Sequence, residues 1–129
     1  MAGTSTNSIY AGGSTPSITA QAELWDGSSW TEVGDLNEGR SYLASSGTST
    51  SAIVFGGYLG PPGNSGKTEF WNGSSWTEVN DLGTTRYDSS GSGQSSSSAL
   101  AAGGFISDET NVAEEFTGAD FQIKSVTTS

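Results

Sequence analysis

Short, mainly apolar stretches alternate with turn residues along the whole chain, and nowhere do apolar positions recur at helical spacing. Ser8–Ala11, Ala52–Phe55 and Ala99–Ala102 each lead directly into a pair of glycines. Unbroken apolar runs of this length are typical of β-strands that are covered on both faces. The pattern therefore predicts an all-β protein in which these three segments are the second strands of successive structural units.

An internal repeat gives these units their length. The eleven residues Glu23–Val33 recur as Glu69–Val79, 46 positions later, with nine identities. A more divergent third copy starts 46 positions later again, at Glu115, and Arg86 follows Arg40 by the same interval. Self-similarity at a fixed period of this size indicates a repeat architecture, in which each unit is one small supersecondary structure.

Each unit carries the signals of four short strands. The third strand, 20–26 in the first unit, ends at an Asp-Gly pair, and its copy ends at an Asn-Gly pair; both pairs favour the positive φ of a tight hairpin. The glycine- and serine-rich segments after Arg40 and Arg86 predict an innermost strand in a crowded position. We expect the third strand to present Leu24, Phe70 and Phe116 on one face and Trp25 and Trp71 on the other, and the fourth to open with Trp30, Trp76 or Phe121.

Four short strands with a period of 46 residues describe one blade of a β-propeller, and blades are predicted at 1–39, 40–85 and 86–129. Gly3 aligns with Gly47, so the first blade lacks most of its innermost strand. Three blades do not close a ring, and their open faces would expose apolar surface and strand edges. We therefore predict that two chains meet head to tail in a six-bladed ring. Three chains in a nine-bladed ring, or a fragment of a longer array, are the alternatives.

The residues behind these signals resemble the kelch repeat: an apolar run ending in two glycines, an aromatic third strand, a spaced tryptophan in the fourth, and Arg40 or Arg86 opening the next unit. The resemblance spans nearly the whole chain and implies a kelch-like β-propeller with three four-stranded blades. The segment Trp71–Leu82 is similar to kelch-like arrays in predicted virion and tail-fibre proteins of marine bacteriophages, which implies a virion or extracellular location. The third unit departs from the pattern, because 117–121 reads as one residue short and lacks both tryptophans.

Composition narrows the chemistry. Serine, glycine and threonine make up 58 of the 129 residues, which without the repeat would suggest a linker. Four basic residues against 14 acidic ones give a net charge of -10, which disfavours nucleic acid and anionic membrane surfaces as partners. Cysteine and histidine are absent, so thiol nucleophiles, thiolate metal sites and histidine catalysis are excluded, and we expect no cofactor. No apolar run approaches the length of a membrane-spanning helix.

The connections between second and third strands differ in length from unit to unit, which marks them as the predicted binding rim. An aromatic side chain beside Asn and Asp can hold a sugar, but a Pro-Pro turn capped by tyrosine is equally good loop chemistry, and the structural interpretation is favoured. A calcium site from the acidic pair of the third unit lacks the regular spacing of known calcium loops. The candidate ligand-binding residues on this rim are Tyr58, Leu59, Pro61, Asn64, Asp108 and Glu109.

Two further candidates are Arg40 and Arg86, which in a propeller can point toward the channel or rim and meet an anionic ligand. The alternative is an ion pair with Asp35, Asp81 or the repeat glutamate. Because the arginine recurs from unit to unit, the ion pair is the favoured interpretation.

The sequence favours a non-enzymatic binding or structural module that assembles with itself, and the phage resemblance implies recognition of a host-surface glycan. A pure scaffold without a ligand is the competing hypothesis. Galactose-oxidase chemistry needs His and a Tyr-Cys crosslink, and the sialidase Asp box is not matched because Asp26 and Gly27 are adjacent. A two-carboxylate glycosidase is the disfavoured enzyme alternative, since nothing in the sequence pairs the acids.

Overall fold

The computed structural model describes residues 2–61, 63–106, 112–117 and 121–125, and this part of the chain is all-β, as expected. No helix capable of crossing a membrane occurs in these ranges. The strands are β1 (Ala2–Gly3), β2 (Ser8–Ala11), β3 (Ala22–Trp25), β4 (Trp30–Val33), β5 (Ala44–Gly47), β6 (Ala52–Phe55), β7 (Tyr58–Gly60), β8 (Gly63–Asn64), β9 (Thr68–Trp71), β10 (Trp76–Val79), β11 (Ser90–Ser95), β12 (Ser98–Ala102), β13 (Val112–Phe116) and β14 (Phe121–Ser125).

These strands form three four-stranded antiparallel sheets. The first sheet has the order β1-β2-β3-β4, the second β5-β6-β9-β10 and the third β11-β12-β13-β14, so within each sheet successive strands are neighbours. A two-stranded hairpin, β7-β8, is inserted between the middle strands of the second sheet. The predicted second strands coincide with β2, β6 and β12, and the outer strands open at the three aromatic residues expected.

The turn between third and fourth strands follows from its first residue. Asp26 Oδ1 accepts the backbone N–H groups of Ser28 and Ser29, each at 2.8 Å, and Asn72 Oδ1 accepts the two equivalent groups at 2.9 Å. The glycine that follows has φ of 97° in both turns, a conformation that side chains with a Cβ rarely adopt. Aspartate and asparagine side chains organise such turns by mimicking a backbone acceptor.

The second sheet is covered on both faces. Ala52 and Val54 of β6 belong to a core shared with the first sheet, whereas Ile53 and Phe55 belong to a core shared with the third. All four are buried, and a fully buried side chain of valine size or larger contributes about 1.5–3 kcal/mol. The prediction of a doubly covered strand is therefore confirmed for β6.

In the two outer sheets the second strand is covered on one face only. Tyr10 of β2 is 44% exposed and Leu100 of β12 is 41% exposed. Both lie on the face that points away from the second sheet, where no further sheet packs among the described residues. A strand in a terminal sheet of the stack has only one neighbour, so its alternate positions remain at the surface.

The first strands of the three sheets lie side by side, with β5 in contact with both β1 and β11. A Cβ atom added at Gly91 of β11 would come within 2.5 Å of the Ser45 carbonyl oxygen. This approach explains the glycine and serine content of the innermost strands, because a larger residue would collide with the neighbouring backbone. The first strand of the first sheet has two residues, in agreement with the alignment of Gly3 and Gly47.

The third repeat is shifted by one residue from its expected alignment. Glu69 lies opposite Val54, and in the third sheet the corresponding pair is Glu114 and Ala101, so the repeat glutamate is Glu114 rather than Glu115. The interval from Gly104 to Glu114 is therefore 10 positions, the same as from Gly13 to Glu23, and one fewer than an alignment on Glu115 would give. Two adjacent glutamates made the two alignments indistinguishable from the sequence.

The same shift changes the position of Phe116. It pairs with Ala99 as Trp71 pairs with Ala52, and it is buried in the core between the second and third sheets. Phe116 and Phe121 are separated by four residues, as are Trp71 and Trp76, so the turn is not one residue short. The expectation that Phe116 shares a face with Phe70 is wrong, because Phe116 occupies the tryptophan position.

Candidate functional site

The two candidate arginines lie in the connections between sheets. Arg40 is fully buried, and its Nη2 lies 2.9 Å from Glu69 Oε2. Its Nη1 donates to the Lys67 carbonyl oxygen at 2.6 Å and to Ser65 Oγ at 3.2 Å. The guanidinium therefore binds a carboxylate, a carbonyl and a hydroxyl, all in the second sheet or the connection that leads into β9.

The second oxygen of Glu69 is also occupied. Glu69 Oε1 accepts the backbone N–H of Asn37 at 2.6 Å and its side-chain amide at 2.8 Å. Burial lowers the pKa of Arg40, and the charge of Glu69 opposes that shift. Arginine has an intrinsic pKa far above neutral, so the Arg40 guanidinium stays charged at physiological pH. A buried pair of this kind is tolerated because its hydrogen bonds compensate for lost hydration.

Arg86 repeats this arrangement one sheet further on. Its Nη2 pairs with Glu114 Oε2, and the backbone N–H of Gly83 donates to Glu114 Oε1 at 2.5 Å. Both charged side chains are fully buried. Arg40 and Arg86 therefore pair with repeat glutamates rather than with Asp35 or Asp81, and neither presents surface on which a ligand can bind.

Each buried arginine also joins two sheets. The backbone N–H of Arg40 donates to the Thr19 carbonyl at 3.3 Å, and its own carbonyl accepts the N–H of Gly13 at 2.8 Å, both in the connection between β2 and β3. Leu36, in the same connecting segment, donates to the Ala20 carbonyl at 2.9 Å and is buried in the core. Segment 34–43 is thus bonded to the first sheet through its backbone at Leu36 and Arg40. It is bonded to the second sheet through the Arg40 side chain and the backbone of Asn37, and to the inserted β7-β8 hairpin through the backbone of Ser41.

A row of four aromatic residues, Tyr42, Tyr58, Tyr87 and Phe105, lies where the connections between strands meet. The ring centroid of Tyr87 is 5.3 Å from those of Tyr58 and Phe105 and 6.2 Å from that of Tyr42. The rings are tilted, a favourable arrangement for aromatic pairs. Tyr42 is 64% exposed, which leaves one end of this aromatic row accessible.

The predicted rim residues of the second unit form the β7-β8 hairpin. Tyr58 pairs with Asn64 across it, and the Asn64 amide donates to the Ile106 carbonyl at 3.1 Å. Leu59 and Pro61 are exposed at the tip, whereas Tyr58 is half-buried against the aromatic row. Asp108 and Glu109 lie outside the described residues.

Sequence reasoning missed Tyr42, Tyr87 and Phe105. Tyr42 and Tyr87 follow the buried arginines within two residues. This position close to a buried arginine was the sequence signal that could have identified them. Phe105 follows the third glycine pair as Tyr58 follows the second. Tyr58 and Phe105 occupy equivalent positions, whereas Tyr42 is the second residue after Arg40 and Tyr87 is the first after Arg86. The row arises because these residues of adjacent units meet in space.

A pair of tryptophans marks the open face of the first sheet. Trp25 and Trp30 have ring centroids 5.3 Å apart at 41°, and Trp71 and Trp76 have 5.3 Å and 42°. Trp76 is 7% exposed because its pair packs against the first sheet, whereas Trp30 is 48% exposed. The same aromatic pair is therefore a core element in one sheet and a surface element in the next.

No group of three or more acidic side chains that could hold a metal ion occurs within the described ranges. Comparison of the chain with models of known protein families and with curated proteins finds no match in either set. The function of the chain must therefore be inferred from the buried pairs, the aromatic row and the open tryptophan face.

Proposed function

We propose that this chain is a non-enzymatic, kelch-like array of three β-propeller blades that completes a six-bladed ring with a second copy of itself. The observation that carries the proposal is the Trp25–Trp30 pair, which repeats the geometry of the buried Trp71–Trp76 pair but lies open at the surface. Burial of such large apolar side chains is the main driving force for association.

Several features support the blade interpretation. The ranges 1–39, 40–85 and 86–129 each hold the four strands of one sheet. The sheets pack face to face, with their first strands together, as blades do around a propeller axis. Without histidine or cysteine the chain lacks the usual catalytic groups, and the proposed role requires neither an enzyme site nor a cofactor.

The opposite end of the stack carries the complementary surface. Leu100 is 41% exposed, whereas Ile53, at the equivalent position of the second sheet, is fully buried against the third. A head-to-tail contact would place the Leu100 face of one copy on the Trp30 face of the other. A repeated contact of this kind closes a ring when the rotation between neighbouring copies divides a full turn evenly. Six blades lie within the usual range of blade numbers in β-propellers.

Light scattering on a gel-filtration peak tests the proposal. We expect a mass near twice the 13.1 kDa of one chain. Trp30→Glu should shift the mass to that of a single chain, because it puts a charge in the contact. Tyr42→Glu, at a more exposed aromatic residue on the aromatic row, serves as the control and should leave the dimer intact. A folded, monomeric unaltered chain would contradict the proposal.

A second function, glycan binding, is favoured by the exposure of Tyr42 beside the Tyr58–Asn64 hairpin. An accessible aromatic face next to polar loop groups is suited to a sugar ring, and the phage resemblance points to a host-surface glycan on a virion or extracellular protein. A glycan array should show binding that is lost in Tyr42→Ala and Tyr58→Ala but retained in Tyr10→Ala, at an exposed tyrosine elsewhere. An array without signal favours the scaffold hypothesis.

A further inference from the structure

The arginine of each connection lies in a groove of the sheet that follows it. In the second sheet this arginine groove is formed by Ser65, Lys67 and Glu69, and Arg40 binds all three. The aliphatic part of Arg40 lies over Gly57, whose added Cβ would be 3.3 Å from Arg40 Cβ and Cδ. The groove thus combines a hydroxyl, a carbonyl, a carboxylate and a glycine surface.

The first sheet contains the same groove, built from Thr19, Gln21 and Glu23. The Gln21 N–H donates to Thr19 Oγ1 at 3.1 Å, as the Lys67 N–H donates to Ser65 Oγ at 3.0 Å. The hydroxyl is therefore fixed in the same way in both grooves.

The carbonyl of the groove is also in the same position in both sheets. Gly12 donates to the Gln21 carbonyl at 2.9 Å, and Gly56 donates to the Lys67 carbonyl at 3.1 Å. The main difference is in the carboxylate, because Glu69 is fully buried whereas the Glu23 side chain is exposed and makes no hydrogen bond or ion pair within the described residues.

The apolar residues beside the two grooves also differ in exposure. Val54 and Trp76 of the second sheet belong to the core that receives Leu36, and the equivalent residues of the first sheet, Tyr10 and Trp30, lie at the surface. A cavity of about 120 Å³ is lined by Tyr10, Thr19, Gln21 and Glu23. The Tyr10 hydroxyl lies over Gly13, where the Arg40 side chain covers Gly57 in the second sheet.

We infer that the Glu23 groove binds a segment of another polypeptide with the pattern Leu-x-x-x-Arg, the pattern shared by Leu36–Arg40 and Leu82–Arg86. Arginine is required because its planar fork can reach hydroxyl, carbonyl and carboxylate together, which an ammonium group cannot. The pattern keeps the leucine because Leu36 is buried in the same core as Val54 and Trp76, whose counterparts in the first sheet are Tyr10 and Trp30. The bound segment displaces the Tyr10 side chain from Gly13.

A second copy of this chain does not provide that segment from its arginines. The chain has two, and both are buried in their own grooves against Glu69 and Glu114. The inference builds on the proposed ring in one respect: it takes the Glu23 groove to be part of a contact between polypeptides. A second copy covers the tryptophan face, and the arginine segment enters the groove beside it.

Isothermal titration calorimetry of the intact chain with a synthetic peptide of residues 34–43 tests the inference. We expect saturable binding at one site per chain. Replacing arginine by alanine in the peptide should weaken binding at least about tenfold, because it removes charge-assisted hydrogen bonds. Replacing it by lysine should also weaken binding. Absence of saturable binding at millimolar peptide would overturn the inference.

Variants of the chain locate the site. Glu23→Gln should weaken binding of the peptide at least about tenfold, whereas Asp35→Asn removes the same charge from an exposed residue outside the groove and should leave the affinity unchanged. Unchanged affinity in Glu23→Gln would also overturn the inference.

Light scattering on the same samples separates the two proposals. A dimer that does not bind the peptide would support the proposed ring and overturn the inference. A monomer that binds the peptide through Glu23 would support the inference and overturn the proposed ring.

Discussion

Glu69 and Arg40 meet in the protein interior with 2.9 Å between Oε2 and Nη2, and neither side chain reaches solvent. Arg40 lies in the connection 34–43 and Glu69 lies in β9, so the pair fixes the path of the chain between the first two sheets. Glu23 occupies the equivalent position of the first sheet and is exposed. One chain therefore contains both a buried and an exposed version of the same glutamate.

Glu69→Gln should destabilise the protein by about 3–5 kcal/mol, because it leaves the buried guanidinium of Arg40 without its counter-charge. Urea unfolding followed by tryptophan fluorescence measures the loss. Glu23→Gln is the matched control and should change stability by less than about 0.5 kcal/mol, as exposed substitutions do. Equal effects of the two variants would contradict the role assigned to the buried pair.

Glu114→Gln should be as destabilising as Glu69→Gln, whereas Glu115→Gln should have a much smaller effect. Glu114 is fully buried against Arg86, and Glu115 is half-buried at the next position. The comparison of unfolding free energies tests the alignment of the third repeat directly, since the sequence alignment places Glu115 at the critical position. A larger effect at Glu115 would restore the alignment expected from the sequence.

Gly91→Ala should destabilise the protein by about 1–3 kcal/mol, the usual cost of overpacking. The added Cβ would lie 2.5 Å from the Ser45 carbonyl oxygen, in the contact between β5 and β11. Gly34→Ala is the control, because its nearest neighbour would be the Ser74 carbonyl oxygen at 3.7 Å and its φ is not positive. Thermal unfolding of both variants checks the close approach of the innermost strands.

Asp26→Asn should reduce the sensitivity of the protein to acid. The backbone N–H groups of Ser29 and Ser28 hold the pKa of Asp26 below its usual value. A carboxyl group with a lowered folded-state pKa contributes stability that is present above its unfolded pKa, about 3.9, and is lost as the pH falls through the folded-state value.

Asn72, which occupies the equivalent position in the second unit, shows that an amide fits this turn. Urea midpoints measured from about pH 5 down to about pH 2 should therefore decline less in Asp26→Asn than in the unaltered chain. The exposed Asp35→Asn is the control and should decline as the unaltered chain does. An unchanged acid dependence in Asp26→Asn would argue against a role for this turn.

The strand order within each unit was predictable because β2, β6 and β12 are apolar runs that end in glycine pairs, a local signal. The turn at Asp26 was predictable for the same reason. The position of the third repeat was not, because Glu114 and Glu115 are chemically identical and their difference arises only from pairing with Ala101 or Leu100.

The candidate sites were less predictable than the strands. Whether Arg40 faces a ligand or Glu69 depends on the path of segment 34–43 across two sheets, which no local pattern encodes. The aromatic row depends on contacts between Tyr58, Tyr87 and Phe105, which lie in different units. Exposure of Tyr10 and Leu100 depends on their position at the ends of the stack, because equivalent residues in the middle sheet are buried.

The double attachment of segment 34–43 has a consequence for how the protein melts. Its backbone is bonded to the connection at Thr19 and Ala20, and its Arg40 side chain is bonded to Glu69, so loss of either sheet leaves buried groups of the other without partners. Nearest-neighbour coupling of this strength makes a repeat array unfold cooperatively. The first two sheets should therefore lose structure in a single transition, rather than one repeat at a time.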